Sequence, residues 1–426
     1  MSTRRPVEGR PGEPRPIGGR AGEVLGAFAK LGVTSFGGPI AHIGYFRREF
    51  VERRRWLSEA QFTQLVGITQ LLPGPASSQL GFALGLLRAG WLGALAAFAA
   101  FTLPSAALLY ALSASGAWLS GAAGAVAVHG LKLVAVAVVA HAVVQMARRL
   151  TPDLPRIAIG VLALGVLLFL RSPWAQLLVI AGGALAGGLL LPRTAASTSE
   201  PAPSPPPASA ADSALLSPHY GRATAATALA LFALLLAFSF WWPSRAPVLG
   251  GIWASFSQAG ALVFGGGHVV LPLLERSVVA TGWVSAESFL AGYGAAQAVP
   301  GPMFSVAAYL GAQVPTGASP LAGALTAVAA IFLPGFLLVV AVLPAWARPT
   351  ARPRALQAIA GANAAVVGLL AAALYDPIWT AGVGNAADAV VAVIGLGILW
   401  SGRRSPLWTV AWCLAAAGGL ALINIS

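Results

Sequence analysis

Apolar stretches of the roughly 20 residues that cross a bilayer as a helix follow one another from residue 90 to the C-terminus. Only 9% of the 426 residues are charged, whereas soluble globular proteins carry about 25%. The formal net charge of +13 comes mainly from arginines in short segments that flank the apolar stretches. Such arginines report membrane topology rather than a nucleic-acid surface. The sequence therefore predicts an all-α polytopic membrane protein.

The chain contains an internal repeat. A Gly-rich motif, a tryptophan, a Pro-Gly-Pro motif preceded by glutamine, and a Leu-Pro pair recur in one order at offsets between 227 and 230 residues. Four motifs at a nearly constant offset indicate two homologous halves. We predict structural roles for the Gly-rich motifs and the tryptophans, namely Gly37, Gly38, Pro39 and Trp56 in the first half and Gly265, Gly266 and Trp283 in the second.

Arginine placement predicts that the two halves are inverted. The loop 47–55 holds five arginines, whereas the equivalent loop 272–283 holds only Arg276. Arg and Lys accumulate on the cytoplasmic side of membrane proteins, so equivalent loops of unequal charge point to opposite sides. Inverted repeats are a recurrent device of secondary transporters. The same rule puts the N-terminus in the cytoplasm and the C-terminus in the periplasm.

Composition divides the chain into five parts. These are a basic disordered tail (1–22), a first repeat (23–191), a Pro/Ala/Ser-rich linker (192–222), a connecting transmembrane helix (223–243) and a second repeat (248–426). The interrupted segments 24–46 and 60–88 either cross the membrane or re-enter as hairpins of two half-helices. We favour hairpins because they keep the arginines of the loop 47–55 in the cytoplasm.

The Pro-Gly-Pro motifs predict a binding site for an anion. Proline cannot continue a helix but suits its first position, so each motif ends one half-helix and starts another. The free N–H groups at a helix start attract anions. Candidate substrate-binding residues are Gln70, Pro73, Gly74, Pro75, Ser77 and Ser78 in the first repeat and Gln297, Pro300, Gly301, Pro302 and Ser305 in the second. The alternative is that the motifs merely kink packed helices.

A few ionisable side chains inside apolar stretches are further candidates. Lys132 lies in the middle of a predicted span 118–146, where a charge usually faces a cavity or a partner. Asn363 is its repeat partner, and Arg88 either neutralises the anion or reports topology. His42 and His268 are candidates for a substrate or proton role. His129 and His141 are typical helix–helix hydrogen-bonding groups, with a proton relay as the alternative.

Several kinds of chemistry lack the residues they need. The sequence has no Walker-type GxxxxGK[ST] loop, no HExxH motif and one cysteine, so we expect no ATPase subunit, no cofactor, no metal site and no enzyme activity. The 13 acidic residues lie mostly in tails and loops, which leaves little for cation coordination. Basic and N–H groups without buried carboxylates favour an anionic substrate. We expect the lipid bilayer to surround the protein, and we expect no nucleic-acid partner.

These motifs resemble the chromate transporter (CHR) family. The resemblance rests on Phe36-Gly-Gly-Pro-Ile-Ala-His42, Gln70-Leu-Leu-Pro-Gly-Pro75, Arg88-Ala-Gly90 and Gln297-Ala-Val-Pro-Gly-Pro302. It implies two antiparallel homologous domains and export of chromate from the bacterial cell, with resistance as the result. Sulfate is the structural analogue, and uptake or exchange of sulfate or another oxyanion is the alternative. Membrane potential or protons would drive transport, and a homodimer is left open. The second copy departs by Gly267 where the first has Pro39.

Overall fold

The computed structural model describes residues 19–115, 121–170, 175–192, 220–242, 246–264, 267–346, 353–401 and 405–425. Every regular element within these ranges is helical. The first repeat contains α1 (Ala21–Thr34), α2 (Gly38–Phe46), α3 (Glu59–Leu71), α4 (Ala76–Ala114), α5 (Ala122–Leu150), α6 (Leu154–Phe169) and α7 (Ala175–Leu190). A π-helical turn, Arg47–Arg53, continues α2.

The second repeat has the same order of elements after a connecting helix, α8 (Arg222–Trp241). Its helices are α9 (Leu249–Leu262), α10 (Val270–Val278), α11 (Ala286–Ala298), α12 (Val306–Gln313), α13 (Pro320–Trp346), α14 (Pro353–Ala373), α15 (Ala386–Trp400) and α16 (Leu407–Ile425). Single 3₁₀ turns precede α10 and α12, and a π-helical turn, Leu374–Trp379, extends α14.

Both interrupted segments of the first repeat return to the end of the molecule where they start. Arg88, thirteen residues after Pro75, pairs with Glu23 in the first turn of α1, with 3.1 Å between Nη2 and Oε2. Trp56, just before α3, donates from Nε1 to the same carboxylate at 3.0 Å. The 14 residues of α1 reach about 21 Å, less than the ~30 Å of the hydrocarbon core. This is the geometry of two hairpins rather than of two full crossings.

The long helix α4 is itself folded. Its backbone leaves the helical region at Ala89 and Gly90, and Gly85 before the bend packs against the backbone of Gly93 after it. The first arm of α4 (residues 76–88) therefore closes the second hairpin, and the second arm (91–114) runs on alone. In the second repeat, two separate helices, α12 and α13, take the places of these arms.

Five described helices are long and apolar enough to cross a membrane: α4, α5, α8, α13 and α14 with its extension. The helices α6, α7, α15 and α16 are apolar but shorter. In the first repeat α4 and α5 are long enough to cross, and the shorter α6 and α7 follow as a packed pair, so the number of spans after the hairpins is even. Because α8 crosses once more, the second repeat starts on the opposite side. The molecule is an all-α polytopic membrane protein of two inverted repeats.

Packing divides the helices into two bodies that each combine both repeats. The hairpin body contains α1–α4 and α8–α13, and the bundle body contains α5–α7 and α14–α16. Within the bundle body α14 packs along α6 and α7, while α5 packs along α15 and α16. The long helix of each repeat, α5 or α14, therefore packs against the last two helices of the other repeat.

Two interfaces between the bodies occupy equivalent positions in the repeat, but they differ in how closely their helices pack. The helix α11 packs along α5 so closely that a side chain at Gly294 would collide with the carbonyl of Leu131. Its counterpart α3 makes no comparable contact with α14 in the described part of the chain, and Gly67, which corresponds to Gly294, faces open space. One side of the molecule is therefore closed at this interface and the other is open.

Some sequence predictions fall where the structure describes nothing or differs. Residues 1–18 of the predicted tail, 193–219 of the predicted linker, and Gly265 and Gly266 lie outside the described residues. The span expected at 118–146 is the helix Ala122–Leu150. The helix therefore begins and ends four residues later than predicted, and its last turn includes Arg148 and Arg149.

Candidate functional site

Each Pro-Gly-Pro motif hydrogen-bonds to the unwound segment of the opposite repeat. The N–H of Gly301 donates to the C=O of Ser35, which follows α1, at 2.9 Å. The N–H of Gly74 donates to the C=O of Val263, which follows α9, at 2.7 Å. Ser35 and Val263 occupy equivalent positions in the repeat, so the two contacts are reciprocal. We call the Gly301–Ser35 contact and its surroundings the polar crossing, and the Gly74–Val263 contact and its surroundings the apolar crossing.

The two repeats touch at equivalent positions between the crossings. A side chain at Gly267 would meet the ring of Pro39, with only 2.9 Å between its Cβ and Cγ of the proline. Two equivalent residues in contact lie on a twofold axis, and two prolines would collide there. The departure of the second Gly-rich motif from the first therefore has a steric reason.

The glycines of the Pro-Gly-Pro motifs are required by both backbone and space. Gly74 has φ +122° and Gly301 has φ +107°, angles that other residues rarely adopt. A Cβ on Gly301 would lie 2.8 Å from Oγ of Ser105. A Cβ on Gly74 would lie 3.1 Å from the Cα of Gly335, the repeat partner of Ser105.

After each of these glycines, the second half-helix begins one residue later than the sequence predicts, directly after the proline rather than at it. Pro75 is the N-cap residue of α4, and Pro302 caps the 3₁₀ turn that precedes α12. The first hydrogen bond inside α4 runs from the N–H of Gln79 to the C=O of Pro75 at 2.8 Å. The N–H groups of the first turn of α4 therefore point back towards the break.

Hydroxyl groups and a histidine surround the polar crossing. Buried His42 lies between a backbone carbonyl and a hydroxyl: its Nε2 is 3.3 Å from the C=O of Ser35 and its Nδ1 is 3.3 Å from Oγ of Ser77. The hydroxyls of Ser105 and Ser305, from opposite repeats, share a hydrogen bond of 2.6 Å. Predicted residues of both repeats thus come together here.

The apolar crossing has the same backbone but different side chains. Gln79 is its polar side chain, and its Nε2 donates to the C=O of Pro73 at 2.9 Å and to that of Gly335 at 3.1 Å. Phe304 and Phe332 pack with ring centroids 6.0 Å apart. These aromatic residues take the repeat positions that Ser77 and Thr102 hold in the polar crossing.

The two predicted glutamines make unlike contacts. Gln70 accepts a hydrogen bond at 3.0 Å from Nη2 of Arg149, at the end of α5. Gln297 donates to the sulfur of Met303 at 3.1 Å. Arg149 is therefore a cation beside the first break. The sequence did not predict it, because an arginine at the end of an apolar stretch is typical of a topology signal.

Lys132 lies at the interface between the two bodies rather than at a break. It is the eleventh residue of α5, and its Nζ is 3.5 Å from the carboxylate of Glu287 in the first turn of α11. Nearby His129 is 2.8 Å from Asp388 of α15. The mid-membrane position expected for Lys132 followed from the predicted span, whose ends differ from those of α5.

Three other candidates lie apart from the crossings or have partners of their own. Arg88 is separated from Pro75 by the first arm of α4, about 20 Å of helix, and stacks over Trp56 at 5.2 Å. Asn363, on α14, has a buried Oδ1 without a hydrogen-bond partner. His268 is 2.6 Å from the hydroxyl of Tyr293.

The remaining predicted residues have structural settings. His141 bonds Gln145 on its own helix at 2.7 Å, and Trp283 packs against Gly251 in α9. Gly37 takes φ +101° and Gly38 φ +75° at the break between α1 and α2. These contacts agree with packing and turn roles.

A cavity of about 460 Å³ lies between the first hairpin of the second repeat and α14. Its walls carry Glu275 and Asp376 against Arg276, together with Gln176 and Gln258. Two carboxylates beside one guanidinium do not favour a doubly negative ligand. Among the described residues no group of three or more His, Cys, Asp or Glu side chains is placed to hold a metal ion.

Comparison with known proteins gives one family match over both repeats. The family model described as "Chromate transporter" matches residues 22–188 and 250–421. No solved structure matches this chain.

Three curated relatives share most of their length with the chain. A protein of Synechococcus elongatus named "Probable chromate transport protein" is 29% identical over 82% of this chain and 82% of its own length. A "Chromate transport protein" of Pseudomonas aeruginosa is 27% identical over 83% of this chain and 80% of its own. Another of that name, from Cupriavidus metallidurans, is 28% identical over 82% and 80%.

Proposed function

Because the chain belongs to the chromate transporter family, we propose that it is a secondary transporter, and no enzyme, that exports chromate and thereby confers chromate resistance. The proposed location is the bacterial inner membrane, with the N-terminus in the cytoplasm and the C-terminus in the periplasm. The arginine distribution supports this orientation. Inverted repeats with broken helices are the architecture in which secondary transporters place their sites.

The observation that carries the proposal is the pair of crossings. Broken backbone survives within a membrane only where protein buries it or where it lines a watery cavity. Here the breaks of both repeats meet each other's unwound segments, through Gly301 and Ser35 and through Gly74 and Val263. Helix N-terminal N–H groups and hydroxyls gather there, and both are donors that an oxyanion accepts.

The membrane potential is the proposed driving force. An inside-negative potential favours the exit of an anion by about 2.3 kcal/mol per charge per 100 mV, and a dianion doubles this figure. Export therefore needs no coupled ion on energetic grounds. Exchange with protons is the alternative, and it predicts flux that follows a pH gradient at zero potential.

The proposed route of access alternates between two interfaces. In the present state α11 contacts α5 at Gly294, while α3 stands away from α14 at Gly67. Exchange of these two arrangements would move the hairpin body relative to the bundle body and expose the crossings to the other side. The repeat symmetry supports this exchange, because each interface has a counterpart that can adopt its packing.

Uptake or exchange of sulfate is the second candidate. Hydroxyl and N–H donors bind any tetrahedral dianion, and chromate and sulfate share that shape. Uptake against an inside-negative potential would require a coupled cation. A chromate-sensitive bacterial host expressing the chain separates the candidates. We expect growth at chromate concentrations that stop the empty host, with less radiolabelled chromate in the cells. Unchanged growth, or greater chromate accumulation, would argue for uptake.

A further inference from the structure

The repeat symmetry of the two crossings extends to the backbone but not to the side chains. Four positions that carry hydroxyl or imidazole groups in the polar crossing are apolar in the other. Ser35, His42, Ser77 and Thr102 correspond to Val263, Val270, Phe304 and Phe332. The apolar crossing has one polar side chain, Gln79, whose Nε2 already donates to two carbonyl groups, whereas these four hydroxyl and imidazole groups lie at the polar crossing alone. The difference therefore points to a ligand at the polar crossing.

Two of these hydroxyls are buried and have no partner. Oγ of Ser35 and Oγ1 of Thr102 have no hydrogen-bond partner, and both residues are 0% exposed. A threonine inside a helix can bond a carbonyl one turn back, and Thr102 makes no such bond. Buried polar groups are nearly always satisfied, and an exception calls for an explanation such as a bound molecule.

A third unpartnered hydroxyl stands at the start of α4. Oγ of Ser78, in the first turn after Pro75, is buried and has no partner. Its neighbour Ser77 reaches His42, which in turn reaches Ser35. The second arm of α4 meets this group through the ring of Phe101, 5.2 Å from that of His42, and the hydroxyl of Ser105 donates to the C=O of Thr102 within the same arm at 2.9 Å. These contacts join α1, α2 and both arms of α4 around the crossing.

We propose that the polar crossing alone is the oxyanion subsite, with the hydroxyls of Ser35 and Thr102 as direct donors to the anion. The proposal rests on the function proposed above and names the part of the molecule that binds. His42, held by Ser35 and Ser77, positions the subsite, and the apolar crossing serves as its structural copy.

The chemistry of the lining fits a tetrahedral oxyanion. Hydroxyl groups donate to anionic oxygens while the hydroxyl oxygens remain free to accept from neighbours. Hydrogen bonds to a charged group are about twice as strong as those between neutral groups. Ser35, His42, Ser77, Thr102 and Ser105 carry no carboxylate, so nothing among them repels a dianion.

The test measures radiolabelled chromate transport by the full chain in proteoliposomes. The variants are Thr102→Val, which keeps the shape and removes the hydroxyl, Thr102→Ser, which keeps the hydroxyl, and Ser35→Ala. We expect KM for chromate to rise about tenfold or more in Thr102→Val and Ser35→Ala, as for the loss of one hydrogen bond to an anion. Thr102→Ser should stay within about twofold to threefold of the wild type.

The matched control is Ser257→Ala. Oγ of Ser257 on α9 is also buried without a partner, but this residue lies in the middle of a helix away from the crossing. Its removal should leave KM unchanged. A Thr102→Val protein that melts at a higher temperature with an unchanged KM would overturn the proposal, because the hydroxyl would then be an unsatisfied packing group.

A second readout separates failure of the subsite from failure of the proposed function. Chromate and sulfate should each raise the melting temperature of the purified wild type, and Thr102→Val should lose this shift. If the wild type neither transports chromate nor is stabilised by either anion, the proposed function is wrong. If the wild type responds and all hydroxyl variants respond equally, only the subsite is wrong.

Discussion

The N–H of Gly301 in the second repeat donates to the C=O of Ser35 in the first at 2.9 Å, and this contact interlocks the two halves. Its counterpart joins Gly74 to Val263. Neither repeat completes its own break, because each unwound segment accepts its hydrogen bond from the other half. The first repeat alone would leave these buried backbone groups unpaired.

Gly301→Ala should destabilise the protein and abolish transport. The new Cβ would lie 2.8 Å from Oγ of Ser105 at a residue with φ +107°, and strain of this kind costs on the order of 1–3 kcal/mol. Melting of the purified protein and chromate flux measure the two effects. Gly397→Ala is the matched control, since that helical glycine has open space around it and should melt no lower. Equal melting of both variants would contradict the interlocked break.

A cysteine pair at Gly67 and Ala362 tests the exchange of interfaces. These residues are the repeat counterparts of Gly294 and Leu131, which touch in the present state. The pair should form a disulfide only when α3 closes on α14, and the disulfide should block transport until it is reduced. The buried native cysteine, Cys413, is first replaced by alanine. Full transport with the disulfide intact would rule out this exchange.

Ser58→Cys in the same cysteine-free background tests the hairpins. Ser58 caps α3 and its side chain accepts from the N–H of Gln61 at 3.2 Å, near the end that holds Trp56. The hairpin arrangement puts this residue in the cytoplasm. An impermeant thiol reagent should label it in inverted vesicles and not in intact spheroplasts. Labelling from outside would mean that α1 and α2 cross the membrane together.

Glu49 should make the folded protein sensitive to acid. Burial alone would raise the pKa of this carboxyl, but hydrogen bonds from Arg54 and Arg53 and the charge of Lys30 outweigh it, so the pKa lies below its ordinary value of 4.5. A lowered folded-state pKa adds stability above the unfolded pKa, and this stability is lost as pH falls through the folded value.

The corresponding measurement is the melting temperature against pH for the wild type and Glu49→Gln. The variant should melt lower at neutral pH, with a smaller further loss below about pH 4.5. Glu59→Gln is the control, because Glu59 is paired with Arg47 but exposed, and exposed pairs contribute at most about 1 kcal/mol. Identical acid profiles for Glu49→Gln and the wild type would contradict the assignment.

The order of the motifs was enough to predict the repeat and the breaks, and the placement of the arginines was enough to predict the inversion. The hydrogen bond between Ser35 and Gly301 could not be predicted, since nothing local in either segment specifies a partner 266 residues away in sequence. Lys132 is not central in its helix as predicted, because α5 begins and ends four residues later than the apolar stretch indicates. Thr102 was overlooked because a threonine in an apolar helix resembles an ordinary packing residue, and only its missing hydrogen-bond partner distinguishes it.

The most direct test of the proposed chromate export is potential-driven chromate flux in oriented proteoliposomes that contain the purified chain. A potassium gradient with valinomycin sets the potential while pH is equal on both sides. We predict that an inside-negative potential accelerates chromate efflux and that Thr102→Val shifts the concentration dependence without abolishing the response. Chromate flux equal to that of empty liposomes at every potential would contradict it.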